Sequence, residues 1–208
     1  MPQGSSATDP DRPRRVGGRV RSADAHQDAL HAAVQILEDG GYAAVTIEGV
    51  AARSGVAKST IYRWWSSKAE LVMEAYGQLV AERMPTPDSN LLAEDLTTFV
   101  TALYRVAEHP ARVRALRGLM AEAQLDPVFA EAFRRWVQSR RDVLAGVFTR
   151  AIDRGELPAG LDVGHAVDLV FGPFWYRLLV EHLPVDPTEA PAHVRRLLHG
   201  LSDATPRA

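Results

Sequence analysis

The sequence has no cysteine, only two lysines, and no uncharged apolar run of about 18 residues. Without cysteine there are no disulfides, thiolate metal ligands or thiol nucleophiles. The missing apolar run leaves no membrane-spanning helix to expect. The opening MPQGSSATDP lacks the apolar stretch of a secretory leader, which with the missing cysteine predicts a cytoplasmic protein. The seven histidines, at 26, 31, 109, 165, 182, 193 and 199, fall in no H-E-x-x-H or other metal spacing. No glycine-rich phosphate loop or G-x-S-x-G elbow is present either, so no catalytic residue, metal or cofactor is expected. What remains is ordinary for a globular chain: 208 residues, 46% hydrophobic and 24% charged, enough for one large domain or two modest ones.

The net charge of −2 is unevenly spread. From Arg12 to Lys68 nine Lys or Arg (12, 14, 15, 19, 21, 53, 58, 63, 68) face five Asp or Glu (24, 28, 38, 39, 48), so the rest of the chain is net acidic. A basic patch on an acidic body orients a protein on a polyanion without coating it at random. Both lysines, Lys58 and Lys68, lie inside this basic region.

The stretch from Thr46 to Glu70 reads as two short helices and a tight turn, with a third helix immediately behind them. Thr46 is placed to cap the first helix, whose Ile47, Val50 and Ala51 recur at helical spacing. Ser54-Gly55 ends it, because glycine alone takes positive φ at little cost. A second helix is predicted from Ala57 to about Trp64. Val56 and Ile61 turn inward, and Lys58, Ser59, Thr60, Tyr62 and Arg63 are left outside. Cations, hydroxyls and a phenol are the groups that bond phosphate oxygens and base edges in a major groove. Ser67 and Glu70 form an S-x-x-E capping box, which sets the positive end of the next helix beside Lys68.

Over these residues, GYAAVTIEGVAARSGVAKSTIYRWWSSKAEL resembles the DNA-binding signature of the TetR (tetracycline repressor) family of bacterial transcription regulators. It departs from the common pattern at three places. Gly49 stands where an acidic residue is frequent, which removes a possible partner for the Thr46 cap; Trp64-Trp65 replaces a His-Phe or Tyr-Phe pair; Ala57 replaces a frequent serine. The resemblance implies an all-α protein of about nine helices, with an N-terminal helix-turn-helix domain and a C-terminal domain for ligand binding and dimerisation. It also implies pairing through the last two long helices, and an effector that moves helix four and so respaces the two recognition helices.

The remaining segments also read as helices, with no alternating strand pattern. Residues 1–21, rich in Pro, Gly, Ser and Arg, are expected to form a disordered basic arm able to reach a minor groove. Helix one is predicted over about Ser22 to Asp39. Helix four, over Lys68 to about Arg83, is expected to be the only element joining the basic module to the C-terminal half of the chain. Pro85 and Pro87 then place a domain boundary near residue 84, giving a DNA-binding domain over 22–84 and a second domain over 85–208. Asp126-Pro127 opens a long helix seven that Gly155 closes. Helix eight, about Asp162 to Glu181, is apolar around most of its girth, must be covered on several sides, and should bend at Pro173.

Helices eight and nine are the expected homodimer surface, since one helix-turn-helix touches too few base pairs to be selective. Phe99, Tyr104, Met120, Phe129, Phe133, Trp136, Phe148, Phe174 and Trp175 fall on inner faces of helices five to eight. All of these but Phe129 and Phe148 are candidates to line a small-molecule pocket, favouring an apolar or flat effector. The predicted function is a ligand-responsive repressor on a palindromic operator. Thr46, Tyr62 and Lys68 are assigned to phosphates, and Lys58, Ser59, Thr60 and Arg63 to base edges. The rival reading is a helical adaptor that presents the basic face to a protein partner; it predicts no steep salt dependence on DNA.

Overall fold

Capping and burial set the course of the chain before any tertiary contact is considered. A computed structural model describes residues 17–202. Among them are nine α-helices and no strand: α1 Gly17–Gly40, α2 Ile47–Ser54, α3 Lys58–Trp64, α4 Lys68–Arg83, α5 Leu92–Tyr104, α6 Pro110–Leu125, α7 Pro127–Asp153, α8 Val163–Val180 and α9 Ala190–Ser202. Helix α1 begins at Gly17, five residues before the sequence predicts. The Pro, Gly, Ser and Arg content of residues 1–21 reads as disorder, but the last five of them, 17–21, belong to the helix. Arg12, Arg14 and Arg15 of the expected arm lie outside the described residues.

The longest helix shows how its sequence fixes both ends. Asp126 caps α7 by accepting from the Val128 and Phe129 amides at 2.8 and 3.3 Å, and Pro127 occupies the first helical position. At the far end Gly155 takes φ 77°. The Glu156 amide then reaches the Ala151 carbonyl at 2.9 Å, a Schellman closure that uses up terminal carbonyls.

One hydrophobic cluster runs from α1 through α9, so the two halves share a core. Helix α4 packs on both α1 and α7, with buried Tyr76 5.4 Å from the Trp136 ring. It is not the only joint, however. Helix α1 also meets α6, Tyr42 lies edge-on to Phe129 at 4.7 Å, and Glu38 of α1 draws in Arg83 of α4 and Arg112 of α6 at 3.3 and 3.9 Å. Connectivity in sequence reveals the covalent link alone; these contacts form between segments 45 to 87 positions apart (Glu38 to Arg83, Tyr42 to Phe129).

Helix α8 buries Ala166, Val167, Val170, Phe174 and Leu178 and leaves Leu169, Tyr176, Leu179 and Val180 exposed. The chain by itself therefore covers one side of this apolar helix. On the covered side the Tyr104 hydroxyl of α5 stands 3.0 Å from His193 Nδ1 of α9. Phe129, fully buried, sits where α7 meets the Tyr42 turn. Phe129→Ala should lower unfolding stability by about 3–5 kcal/mol in urea titration, and Asp126→Ala, which removes only the cap, by about 1 kcal/mol.

Candidate nucleic-acid interface

The site is built from α2, α3 and the turn between them. Thr46 Oγ1 accepts from the Gly49 amide at 2.9 Å, so the departure at position 49 leaves the cap intact. A Cβ on Gly49 would come 3.1 Å from that oxygen and 3.6 Å from Ile36, so glycine allows the close fit. Gly55 takes φ 72° as expected. Ser54 staples the turn, its hydroxyl donating to the Val50 carbonyl at 2.7 Å and accepting from the Val56 amide at 3.2 Å.

Val56 and Ile61 anchor α3 in the core, and Lys58, Ser59, Tyr62 and Arg63 are exposed with Thr60 partly so. Tyr62 is 56% exposed, unusual for a phenol in a protein whose other tyrosines, Tyr176 apart, are buried. Arg63 has no ion pair among the described residues. Lys58 does: its Nζ lies 2.9 Å from Glu48 of α2, and that hydrogen bond holds the Glu48 carboxyl below its ordinary value. The pair is open to solvent and so exchanges readily with other partners.

Lys68 sits deeper than the sequence suggests. Its Nζ donates to the Tyr42 carbonyl at 3.1 Å and lies 3.8 Å from the Tyr42 ring centroid. Partial burial depresses the ammonium's proton affinity, opposed by nearby Glu122 of α6. The Tyr42 hydroxyl is pushed up to about 12, by burial first and then by Glu122 and Asp126. An ammonium has three donors, so one bond to Tyr42 leaves two for other acceptors. The capping box at α4 is displaced by one residue: Ser67 Oγ accepts from the Glu70 amide at 3.2 Å, but Glu70 returns to the Ser66 amide and hydroxyl, each at 2.8 Å.

Above this module a cavity of about 500 Å3 opens between α4, α5, α6, α7 and α8. Phe99, Trp136, Phe174 and Trp175 line it. Tyr104, Met120 and Phe133 do not: Tyr104 faces His193, Met120 Sδ accepts from Gln124, and Phe133 is packed between Phe129, Trp136 and Trp175. Sequence reasoning missed the polar lining, above all Arg140. A signal for it exists: Phe129, Phe133, Trp136 and Arg140 recur at helical spacing, so the arginine continues the aromatic face of α7. Glu48 was missed for want of any short-range rule linking it to Lys58.

Lys68→Met should cost about 1 kcal/mol of unfolding stability, since it deletes both the hydrogen bond and the cation's contact with the Tyr42 ring; equilibrium urea denaturation measures it.

Comparison with known proteins assigns this arrangement. Residues 29–75 match the family described as bacterial regulatory proteins, tetR family, and residues 86–197 match the tetracyclin repressor-like C-terminal domain. The chain is 37% identical over 164 residues to the HTH-type transcriptional regulator YdeS of Bacillus subtilis (strain 168), a match that spans 78% of this chain and 82% of that protein. It is 32% identical over 154 residues to the DNA-binding transcriptional repressor TetR of Mycobacteroides abscessus, covering 70% of this chain and 74% of that protein. Among solved structures, the TetR family transcription regulator SCO0332 superposes with a TM-score of 0.76 at 33% identity, covering 85% of this chain and 98% of that one. FadR from Bacillus subtilis, solved in complex with stearoyl-CoA, shares the fold with a TM-score of 0.67 at 19% identity, covering 84% and 98%. These regulators are not enzymes. The chain, with its helix-turn-helix in α2 and α3 and its all-α body, belongs to the TetR family of DNA-binding transcriptional regulators.

Proposed function

We propose that the protein is a cytoplasmic homodimeric repressor that holds a palindromic operator with two copies of α3 and lets go when a small molecule fills the cavity. The observation that carries this reading is the outward polar face of α3, pinned by buried Val56 and Ile61. Residues 22–84 serve as the DNA-binding domain and 85–208 as the effector and dimerisation domain. The repressor assignment draws on the M. abscessus relative, named as a repressor. That a protein of this fold holds stearoyl-CoA supports a ligand role for the body of the chain.

Pairing draws on the exposed apolar face of α8. Leu169, Tyr176, Leu179 and Val180, 40 to 60% exposed, continue to Leu183. A second copy related by a two-fold axis covers the same patch with itself. It also sets the two recognition helices for half-sites roughly 34–36 Å apart. Arg63 and Lys58 reach base edges, with Ser59 and Thr60 beside them. Thr46, Tyr62 and Lys68 bond phosphates: the Thr46 hydroxyl, an acceptor for Gly49, still has its proton to donate. Release requires an effector that binds the DNA-free arrangement better by about 1–3 kcal/mol.

Binding-site selection with purified protein should enrich an inverted repeat. Recovery of no DNA, or binding indifferent to salt, would refute the proposal and favour a protein partner for the basic face. On the selected site, Arg63→Ala should lose about 1–3 kcal/mol of discrimination at one base pair. Lys68→Ala should instead weaken all sequences alike and reduce the salt slope by about 1. Glu48→Gln frees Lys58 and removes a negative charge, so it should tighten binding to every sequence in the same gel-shift series. Leu179→Arg should give a folded monomer by light scattering, with operator binding lost.

A further inference from the structure

The cavity is apolar on one wall and cationic on the other. Phe99, Phe171, Trp136 and Trp175 supply the apolar wall, and Arg83, Arg105, Arg112, Arg140 and Arg141 reach the same space. Carboxylates are fewer. Asp168 lines the cavity and pairs with Arg141, Glu108 lines it, and Glu38 behind it is shared by Arg83 and Arg112. Five cations against three carboxylates leaves an excess of two.

The excess falls on Arg105 and Arg140, and since Arg105 is exposed, the partly buried Arg140 is the cation that the cavity itself holds unmatched. Among the described residues it has no ion pair or hydrogen bond, and its Nε is buried without a partner. A buried donor left unmade is costly, and the rest of this partly exposed guanidinium is open to a guest. The crowding shows elsewhere too: Arg112 is held below the usual guanidinium range by burial first and by Arg83 beside it. A cationic guest would meet five arginines, and a neutral one would leave Arg140 as it stands. A guanidinium instead matches a carboxylate with two parallel donors.

We infer that this cavity takes an amphipathic organic acid, with its carboxylate on Arg140 and its apolar body along the wall of Phe171 and Trp175. The inference rests on the reading of the cavity as the effector site and names the chemistry of what enters it. At about 500 Å3 the space has the volume of a small-molecule site and suits a compact acid.

The test uses the full-length protein without DNA and follows tryptophan fluorescence, since Trp136 and Trp175 lie on the cavity wall. Dodecanoate and naphthoate are titrated against dodecanol, naphthol and dodecyltrimethylammonium below their micellar concentrations. The carboxylates should bind about tenfold or more tightly than the alcohols, and the ammonium least. Arg140→Gln should abolish the carboxylate preference while alcohol binding persists. Arg140→Lys should keep it, and Arg134→Met, an exposed change on the same helix whose one ion pair among the described residues is with Glu131, should leave it unaltered. Equal or better binding of the alcohols or the ammonium, no binding by any of the five, or a preference that survives in Arg140→Gln would overturn the inference. Operator release is read in a parallel gel shift. Carboxylate preference without release upholds the assigned chemistry and removes the regulatory role from the cavity, so the two failures are told apart.

Discussion

The seam where Tyr42, Glu38 and Tyr76 meet α6 and α7 is the constraint on which the rest of the structure depends. Helix α3 is seven residues long and could not hold itself in water. Its direction is inherited from α1 and α2, whose own placement is set by Tyr42 against Phe129 and by α4 against Trp136. The packing there is close: a Cβ on Gly77 of α4 would stand 3.3 Å from the Trp136 ring. Packed interiors deform little, so the seam leaves little slack between α6 or α7 and the module of α2 and α3.

The same seam explains where polar chemistry concentrates. Burial lifts the Tyr42 hydroxyl, and Glu122 of α6 with Asp126 beyond it adds to the rise; burial lowers Lys68, and Glu122 opposes that. Two residues that flank the helix-turn-helix thus feel charges from the other half of the chain, after the larger effect of burial. On the far side, Trp136 has one face toward α4 and another on the cavity, and its Nε1 is buried without a partner. Ring contacts continue from Tyr42 through Phe129 and Phe133 to Trp136 and Trp175, an unbroken apolar column between the module and the cavity.

Much of this fold was legible in the sequence because it is specified locally. The caps at Thr46 and Asp126, the positive-φ glycines at 55 and 155, and the inward Val56 and Ile61 all obey rules acting over a turn or two. What was not legible acts at longer range. The salt bridge from Glu48 to Lys58, the lodging of Lys68 on Tyr42, and the arginine lining of the cavity depend on how helices cross, which periodicity does not encode. The cavity was half legible for the same reason: an inward aromatic such as Phe133 and a cavity-facing one such as Trp136 share one helical stripe, and only tertiary packing separates them. Resemblance to a family carried the reading of α2 and α3 as a DNA-binding module; it indicated neither the displaced capping arm of Glu70 nor the early start of α1.

The bond between Lys58 and Glu48 has a consequence for how such a protein would search a chromosome. An acceptor that approaches Lys58 must first displace the Glu48 carboxylate, and because both partners are open to solvent that exchange costs little. On arbitrary sequence the ammonium would share its time between its own carboxylate and whatever the duplex offers, so part of its charge would be spent inside the molecule and the hold on wrong sequence would be weaker than a count of cations implies.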